Sequence, residues 1–161
     1  MDISIQGNEF LSEQDFDRAI ECYTTAIDIE EDEGVLICCY SNRANAYYEK
    51  GLYTDCIADA KACLKICDDP KLVKKNMLRL ARAAMCVNQF ETAVSTLKEL
   101  IRSCQQNNRD PYLKRTKKLL FQLQFYSSKR PSFQNITKRN LEVKFPMNVL
   151  ATRLFNVHIA R

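Results

Sequence analysis

Residues 16–27 read FDRAIECYTTAI, and their apolar side chains fall at positions i, i+3, i+4, i+7, i+10 and i+11. The same spacing returns in YTDCIADAKACL at residues 53–64 and in FETAVSTLKELI at residues 90–101, each time after 37 residues. Such spacing places the apolar side chains on one face of an α-helix. Because a helical unit with a period of roughly 20–50 residues is typical of a stacked array, we predict an all-α solenoid.

A second helical segment precedes each of these stretches and follows the same period. Its small residues Gly7, Ala44 and Ala81 share one position, which lets two antiparallel helices approach closely. The positions between the two helices of a unit also recur after 37 residues, and they are Gln14, Gly51 and Asn88. Glycine and asparagine tolerate the left-handed conformation that ends a helix. The unit is therefore predicted to be helix, short turn, helix.

The composition is that of an ordinary soluble globular protein, with 46% hydrophobic and 27% charged residues in a chain of 161. No apolar run approaches the roughly 20 residues that span a bilayer. The N-terminus, MDISIQGNEF, lacks the basic and apolar segments of a secretory signal. We therefore expect a cytoplasmic protein, with the nucleus as the other compartment left open, and no membrane partner.

The net charge of +4 is concentrated near the C-terminus, where residues 127–161 hold seven basic residues and one acidic residue. This segment shows no repeat, so we predict a flexible basic tail. Its short basic pairs, residues 129–130 and 138–139, leave contact with nucleic acid or an acidic partner as an alternative, although nucleic-acid binding is not expected. The change of character at residue 127 also fits a truncated or mis-spliced form of a longer protein.

The reactive residue types do not form a catalytic or metal-binding pattern. Cys56 and Cys63 occupy apolar-stripe positions, where cysteine acts as a small buried hydrophobe. The chain has eight cysteines without a C-x-x-C pair and one histidine, His158, so we expect reduced thiols and no metal. No P-loop, dinucleotide fingerprint or H-E-x-x-H motif occurs. We predict a protein without a cofactor that is not an enzyme, unless a longer C-terminus carries a catalytic domain.

The repeats resemble tetratricopeptide repeats, in which small residues of both helices flank an aromatic residue. Gly7, Ala19, Tyr23 and Ala26 match this pattern in GNEFLSEQDFDRAIECYTTAI, and the two later segments match it in part. The resemblance implies three repeats, at residues 3–29, 38–67 and 74–104, followed by a capping helix at residues 110–125 within an array of residues 1–126. The family unit is normally 34 residues, so extra residues are expected in the junctions. The acidic run at residues 28–33 is interpreted as a solvated linker.

Polar and basic residues are predicted to line the concave surface, which is formed by the first helices of successive units. Asn42 and Arg79 are 37 residues apart and therefore occupy equivalent positions on neighbouring helices. Lys75 lies one turn before Arg79, and Asn8 follows Gly7 on the first helix. Arginine binds carboxylates bidentately, lysine acts as a point charge, and asparagine orients a peptide backbone. We therefore predict a peptide-carboxylate site.

The same four residues resemble the carboxylate clamp of co-chaperone tetratricopeptide domains. That resemblance implies an adaptor that binds the acidic C-terminal EEVD tail of Hsp90 or Hsp70 through Asn8, Asn42, Lys75 and Arg79. Ser4 stands where the family pattern has a lysine, which predicts a weakened or re-purposed clamp.

Three alternatives to this clamp stay open from the sequence. The groove binds a different peptide, the four residues serve only packing and solvation, or the array is a general scaffold that assembles a complex through other surfaces. Arg43 and Arg82 lie near the same helices and are assigned to flanks or packing.

Overall fold

The computed structural model describes residues 2–104 and 110–128, and the regular elements of these residues are all α-helices. The residues of the array through Leu123 form one compact unit. None of the described helices is long and apolar enough to cross a membrane. The helices are α1 (Ile3–Ser12), α2 (Phe16–Ile29), α3 (Glu33–Glu49), α4 (Tyr53–Ile66), α5 (Pro70–Cys86), α6 (Phe90–Cys104) and α7 (Pro111–Ser128).

The helices repeat with the predicted period of 37 residues. The helices α2, α4 and α6 begin at Phe16, Tyr53 and Phe90, which are 37 residues apart. The turns that precede them place Gln14, Gly51 and Asn88 in the left-handed region, at φ of 62°, 77° and 61°. These values confirm the predicted helix–turn–helix unit. The all-α solenoid prediction is confirmed as well.

The junctions between repeats differ from the prediction. The expected starts of the second and third repeats, residues 38 and 74, lie inside helices, because α3 begins at Glu33 and α5 at Pro70. The Asp32 and Asp69 carboxylates cap these helices by accepting hydrogen bonds from the backbone N–H groups of Val35 and Lys71. The extra residues therefore lengthen the first helices of the second and third units, α3 and α5, which have 17 residues each. The interpretation of residues 28–33 as a linker was too broad, since only residues 30–32 connect α2 to α3.

Small residues set the distance between the helices of each unit. A Cβ atom added to Gly7 would lie 2.8 Å from Cε1 of Tyr23, a ring with no exposed surface. Ala44 and Ala81 are also fully buried, as expected from their shared position. Cys56 and Cys63 are fully buried, and burial raises the pKa of each thiol to about 12. The two cysteines thus serve as core residues, as predicted.

The helix α7 follows the third repeat and packs on it, as expected of a capping helix. Asp110 accepts a hydrogen bond from the backbone N–H of Tyr112 at 2.9 Å, and its carboxylate pairs with Lys74 of α5 at 2.5 Å. Leu113 and Leu123 are buried in the same apolar cluster as α5 and α6. The helix ends at Ser128 rather than at the predicted residue 125. The rest of the predicted tail, residues 129–161, lies outside the described residues.

The shared turn conformation predicts opposite effects for two exchanges at equivalent sites. A left-handed conformation costs a residue with a Cβ atom about 1–2 kcal/mol, and glycine avoids this cost. We expect Gln14→Gly to raise the free energy of unfolding by about 1 kcal/mol and Gly51→Gln to lower it by about 1–2 kcal/mol. Urea denaturation at pH 7 measures both changes. The expectation is wrong if the two exchanges shift stability in the same direction.

Candidate functional site

Asn8 and Asn42 form a direct pair between α1 and α3. The Asn42 Nδ2 group donates to Asn8 Oδ1 at 2.8 Å, and the Tyr23 hydroxyl donates to the same oxygen at 2.7 Å. Because Tyr23 is fully buried, it ties the Asn8 side chain to the core. These two bonds fix the orientation of the Asn8 amide, so its Nδ2 donors point away from Tyr23 and Asn42. The pair is a preorganised set of amide donors at the surface of the first helices.

Arg79 is more buried than its predicted role as a ligand-binding residue suggests. Its side chain is 9% exposed, and burial lowers the pKa of its guanidinium from the ordinary value. The guanidinium donates to three oxygens, which are Ser41 O at 3.1 Å, Asn76 Oδ1 at 3.0 Å and Asn45 Oδ1 at 2.8 Å. A guanidinium has five donors, so two remain beyond these bonds. Arg79 thus connects α3 to α5 and retains limited capacity for a ligand.

The acceptors of Arg79 are residues that sequence reasoning missed. Asn76 has no exposed surface and donates to Ser41 Oγ at 3.1 Å, which adds another link between α5 and α3. Asn45 could have been found, because it lies 37 residues after Asn8 and therefore occupies the equivalent position on α3. Asn76 and Ser41 give no comparable signal, since their burial depends on how the two helices pack.

Arg79 differs from Arg43, a partly buried arginine of α3, in how its charge is compensated. Arg43 makes a bidentate pair with Asp59, at 2.7 and 2.9 Å, and its Nη1 donates to Thr24 at 2.9 Å. This arrangement confirms the packing role predicted for Arg43. The oxygens that accept hydrogen bonds from Arg79 are all uncharged. Within the described residues, no carboxylate forms an ion pair with Arg79, so its positive charge is not neutralised by a protein carboxylate.

Lys75 lies beside Arg79 on the surface of α5. Its pKa is lowered from the ordinary value by desolvation and then by the positive charge of Arg79. Both residues line a cavity of about 160 Å³ between α3, α5 and α7, which Asn45 also lines. Asn8 and Asn42 are not part of this lining. The four predicted site residues thus form two adjacent groups, an amide pair on α1 and α3 and a cationic pair on α5.

The structure adds to the sequence interpretation at two further positions, Ser4 and Arg82. Ser4, at the position where the resemblance places a lysine, donates to the Asp2 carboxylate through both its hydroxyl, at 2.8 Å, and its backbone N–H, at 2.9 Å. Ser4 is therefore engaged by Asp2, the N-cap of α1. Arg82 lines the cavity, and its guanidinium lies 4.8 Å from the centre of the Tyr48 ring. Arg82 is thus part of the cavity wall and packs on Tyr48.

Metal and thiol chemistry receive no support from the geometry. All eight cysteines are free thiols. Within residues 2–104 and 110–128, no group of three or more histidine, cysteine, aspartate or glutamate side chains is arranged to hold a metal ion.

The buried hydroxyl of Tyr23 predicts a pH dependence of stability. Burial raises its pKa from 10.0 to about 12, while its hydroxyl donates to Asn8 Oδ1. Since the folded state holds the neutral phenol, this stabilisation is fully present below pH 10 and is lost as the pH rises from 10 to 12. We expect Tyr23→Phe to be about 1 kcal/mol less stable at pH 7, and the difference to shrink across that range. Urea denaturation at pH 7, 10 and 11.5 measures it, and a constant difference would contradict the burial of the phenol.

Comparison with known proteins identifies the repeat. Residues 5–33 match the family model of the tetratricopeptide repeat. Hsp70-Hsp90 organizing protein 3 of Arabidopsis thaliana is 30% identical over 104 residues, which cover 60% of this chain and 18% of that protein. The chain therefore spans less than a fifth of the length of this relative.

Two solved structures share the fold at lower sequence identity. The Hsp90 co-chaperone Cns1 from Saccharomyces cerevisiae has a TM-score of 0.67 at 24% identity, covering 79% of this chain and 39% of that chain. The TPR2B domain of yeast Sti1, in its pHsp70 complex, has a TM-score of 0.64 at 22% identity, covering 80% of this chain and 95% of that chain. The match to residues 5–33 shows that this first segment is similar to a tetratricopeptide repeat, and the two solved structures show that the chain shares their fold.

Proposed function

We propose that the chain is a non-catalytic adaptor that binds an acidic C-terminal peptide of the Hsp90 or Hsp70 type in its concave groove. The observation that carries the proposal is the buried Arg79 guanidinium, which is held by uncharged oxygens and retains donors. A cation in this state attracts an anion more strongly than one neutralised by a carboxylate, as Arg43 is by Asp59. The proposed ligand residues are Asn8, Asn42, Lys75 and Arg79.

The amide pair is suited to the terminal carboxylate of the peptide. Asn8 Oδ1 already accepts two hydrogen bonds, so the amide nitrogens of Asn8 and Asn42 are the groups that remain to donate. Donors held in place before binding lose little conformational freedom when the ligand arrives. We assign them to the peptide backbone and to its terminal carboxylate.

The cationic pair is suited to the acidic side chain of the last residue. Lys75 and Arg79 lie one helical turn apart, and each has a lowered pKa because desolvation disfavours its charge. An anion placed between them offsets that desolvation and their mutual repulsion. A charge-assisted hydrogen bond contributes about 1.5–3 kcal/mol, which corresponds to at least tenfold in affinity.

The names of the relatives support the adaptor role. The Arabidopsis relative is named as an Hsp70-Hsp90 organizing protein, and the Sti1 domain was solved in a complex with pHsp70. We extend peptide binding of this kind to the array of residues 1–126 and place it in the cytoplasm. Residues 129–161, which follow the end of α7 at Ser128, are proposed to be a separate basic tail.

The replacement of the clamp lysine by Ser4 favours a second candidate. Because Ser4 is bound to Asp2, this end of the groove lacks the cation that would contact the terminal carboxylate. The second candidate is a scaffold whose groove binds a peptide without contacting its terminal carboxylate. The two functions differ in whether a blocked C-terminus weakens binding.

The clamp proposal predicts that binding depends on the free C-terminus of the peptide. Isothermal titration of the full chain with MEEVD is expected to show at least tenfold tighter binding than with its C-terminally amidated form. Lys75→Gln is expected to weaken MEEVD binding about tenfold, since it removes a charge without disturbing the buried Arg79 network.

A matched control variant distinguishes the loss of a binding-site residue from a change in the net charge of the protein. Lys61→Gln removes an equal charge from α4, a second helix of its repeat, and is expected to change the affinity less than twofold. Equal affinity for free and amidated peptides would reject the clamp and favour the scaffold. Equal effects of the two lysine variants would assign the binding to overall charge.

A further inference from the structure

We propose that the array associates head to tail with a second copy of this chain, through contact between the outer side of α2 in one copy and the outer side of α7 in the next. The contact is separate from the peptide groove, whose proposed residues lie on α1, α3 and α5. It therefore does not depend on the peptide-binding function proposed above.

The charge of the array differs between its two ends. Residues 1–33, which include the whole first repeat, hold eleven acidic residues and one basic residue. The last helix, α7, holds four basic residues and no acidic residue. Because each repeat of a solenoid contacts only its neighbours, the first repeat and the last helix lie at opposite ends of the array. Two copies placed head to tail therefore bring surfaces of opposite charge together.

One side of α7 is buried, and the opposite side carries a basic and aromatic stripe. Leu113 and Thr116 are buried on the inner side. The exposed residues of the outer side follow the i, i+3, i+4, i+7 spacing of a single helix face. They are called the α7 face, and they are Lys114, Lys117, Lys118 and Phe121. The ring of Phe121 is 69% exposed, and the three lysines form no ion pair within the described residues.

The outer side of α2 carries the opposite charge and an exposed apolar side chain. Glu21 and Asp28 are exposed and lie two helical turns apart on the same side. Neither forms an ion pair in the part of the chain that the structure describes, whereas Asp17 of the same helix pairs with Lys50. Ile29 is 67% exposed. Glu21, Asp28 and Ile29 are called the α2 face.

The two faces match in length and in the order of their residues. Glu21 and Asp28 are seven residues apart, as are Lys114 and Phe121, and this separation is about 10.5 Å along a helix. When α2 and α7 of two copies lie parallel, Lys114 is opposite Glu21 and Phe121 is beside Ile29. The contact then removes apolar surface from water at one end and pairs opposite charges along the rest.

The type of contact determines the kind of assembly. Each copy uses two different surfaces, so the contact is heterologous and generates an open chain of copies rather than a closed dimer. Exposed ion pairs contribute little individually and are screened by salt. The assembly is therefore expected to be weak, dependent on protein concentration and sensitive to ionic strength.

Analytical ultracentrifugation of the full chain tests this contact. We expect the mean mass of the wild type to rise with protein concentration at about 0.1 M salt. It should return to the monomer mass at about 1 M salt, where the Debye length falls from about 10 Å to about 3 Å. The double variant Glu21→Lys/Asp28→Lys is expected to stay monomeric at the lower salt concentration, because like charges then meet.

The complementary double variant is Lys114→Glu/Lys118→Glu, and it is expected to stay monomeric for the same reason. An equimolar mixture of the two double variants is expected to associate again, because every contact between unlike copies joins opposite charges. The matched control, Lys61→Glu/Lys65→Glu, makes the same change in charge at the same spacing on exposed positions of α4. It is expected to associate as the wild type does.

The remaining outcomes overturn the proposal. A wild type that is monomeric at every concentration has no such contact. A mixture of the two double variants that stays monomeric shows that their charges do not meet. Association that is lost in only one double variant, or equally in the α4 control, assigns it to another surface or to the overall charge.

Discussion

The packing of the Tyr23 ring against Gly7 connects the core of the first repeat to its polar surface. A Cβ atom at Gly7 would come within 2.8 Å of the ring, so glycine is what allows the ring to lie between α1 and α2. From this position the Tyr23 hydroxyl reaches Asn8, which in turn accepts a hydrogen bond from Asn42. Helix spacing and the orientation of the Asn8 and Asn42 amides therefore depend on the same contact.

A different constraint governs the second half of the groove. Arg79 is buried between α3 and α5, where a charge is costly unless its donors are satisfied. Three oxygen acceptors satisfy its donors without neutralising its charge, whereas the Asp59 carboxylate neutralises Arg43. At α5, the hydrogen-bond donors of Arg79 are thus satisfied while its positive charge is not compensated. This separation underlies the proposal that Arg79 binds an anionic ligand in addition to joining α3 to α5.

Much of the fold could be predicted because it is determined by local sequence. The left-handed turns at Gln14, Gly51 and Asn88 and the buried thiols at Cys56 and Cys63 follow from position in a repeat. The junctions could not be placed as well. Acidic residues suit both a solvated linker and a helix cap, and only the hydrogen bonds of the Asp32 and Asp69 carboxylates distinguish the two. Composition was therefore an ambiguous signal at these boundaries.

By itself the sequence determined the all-α repeat, its 37-residue register and the placement of Asn42 and Arg79 on equivalent helical positions. Only the tertiary structure decided that Arg79 is buried, that Asn45 and Asn76 hold it, and that Arg82 and Arg115 meet in one cavity. The physical reason is that periodicity specifies which face of a helix a residue occupies. Burial, hydrogen-bond partners and the distance between charges depend on how closely neighbouring helices pack.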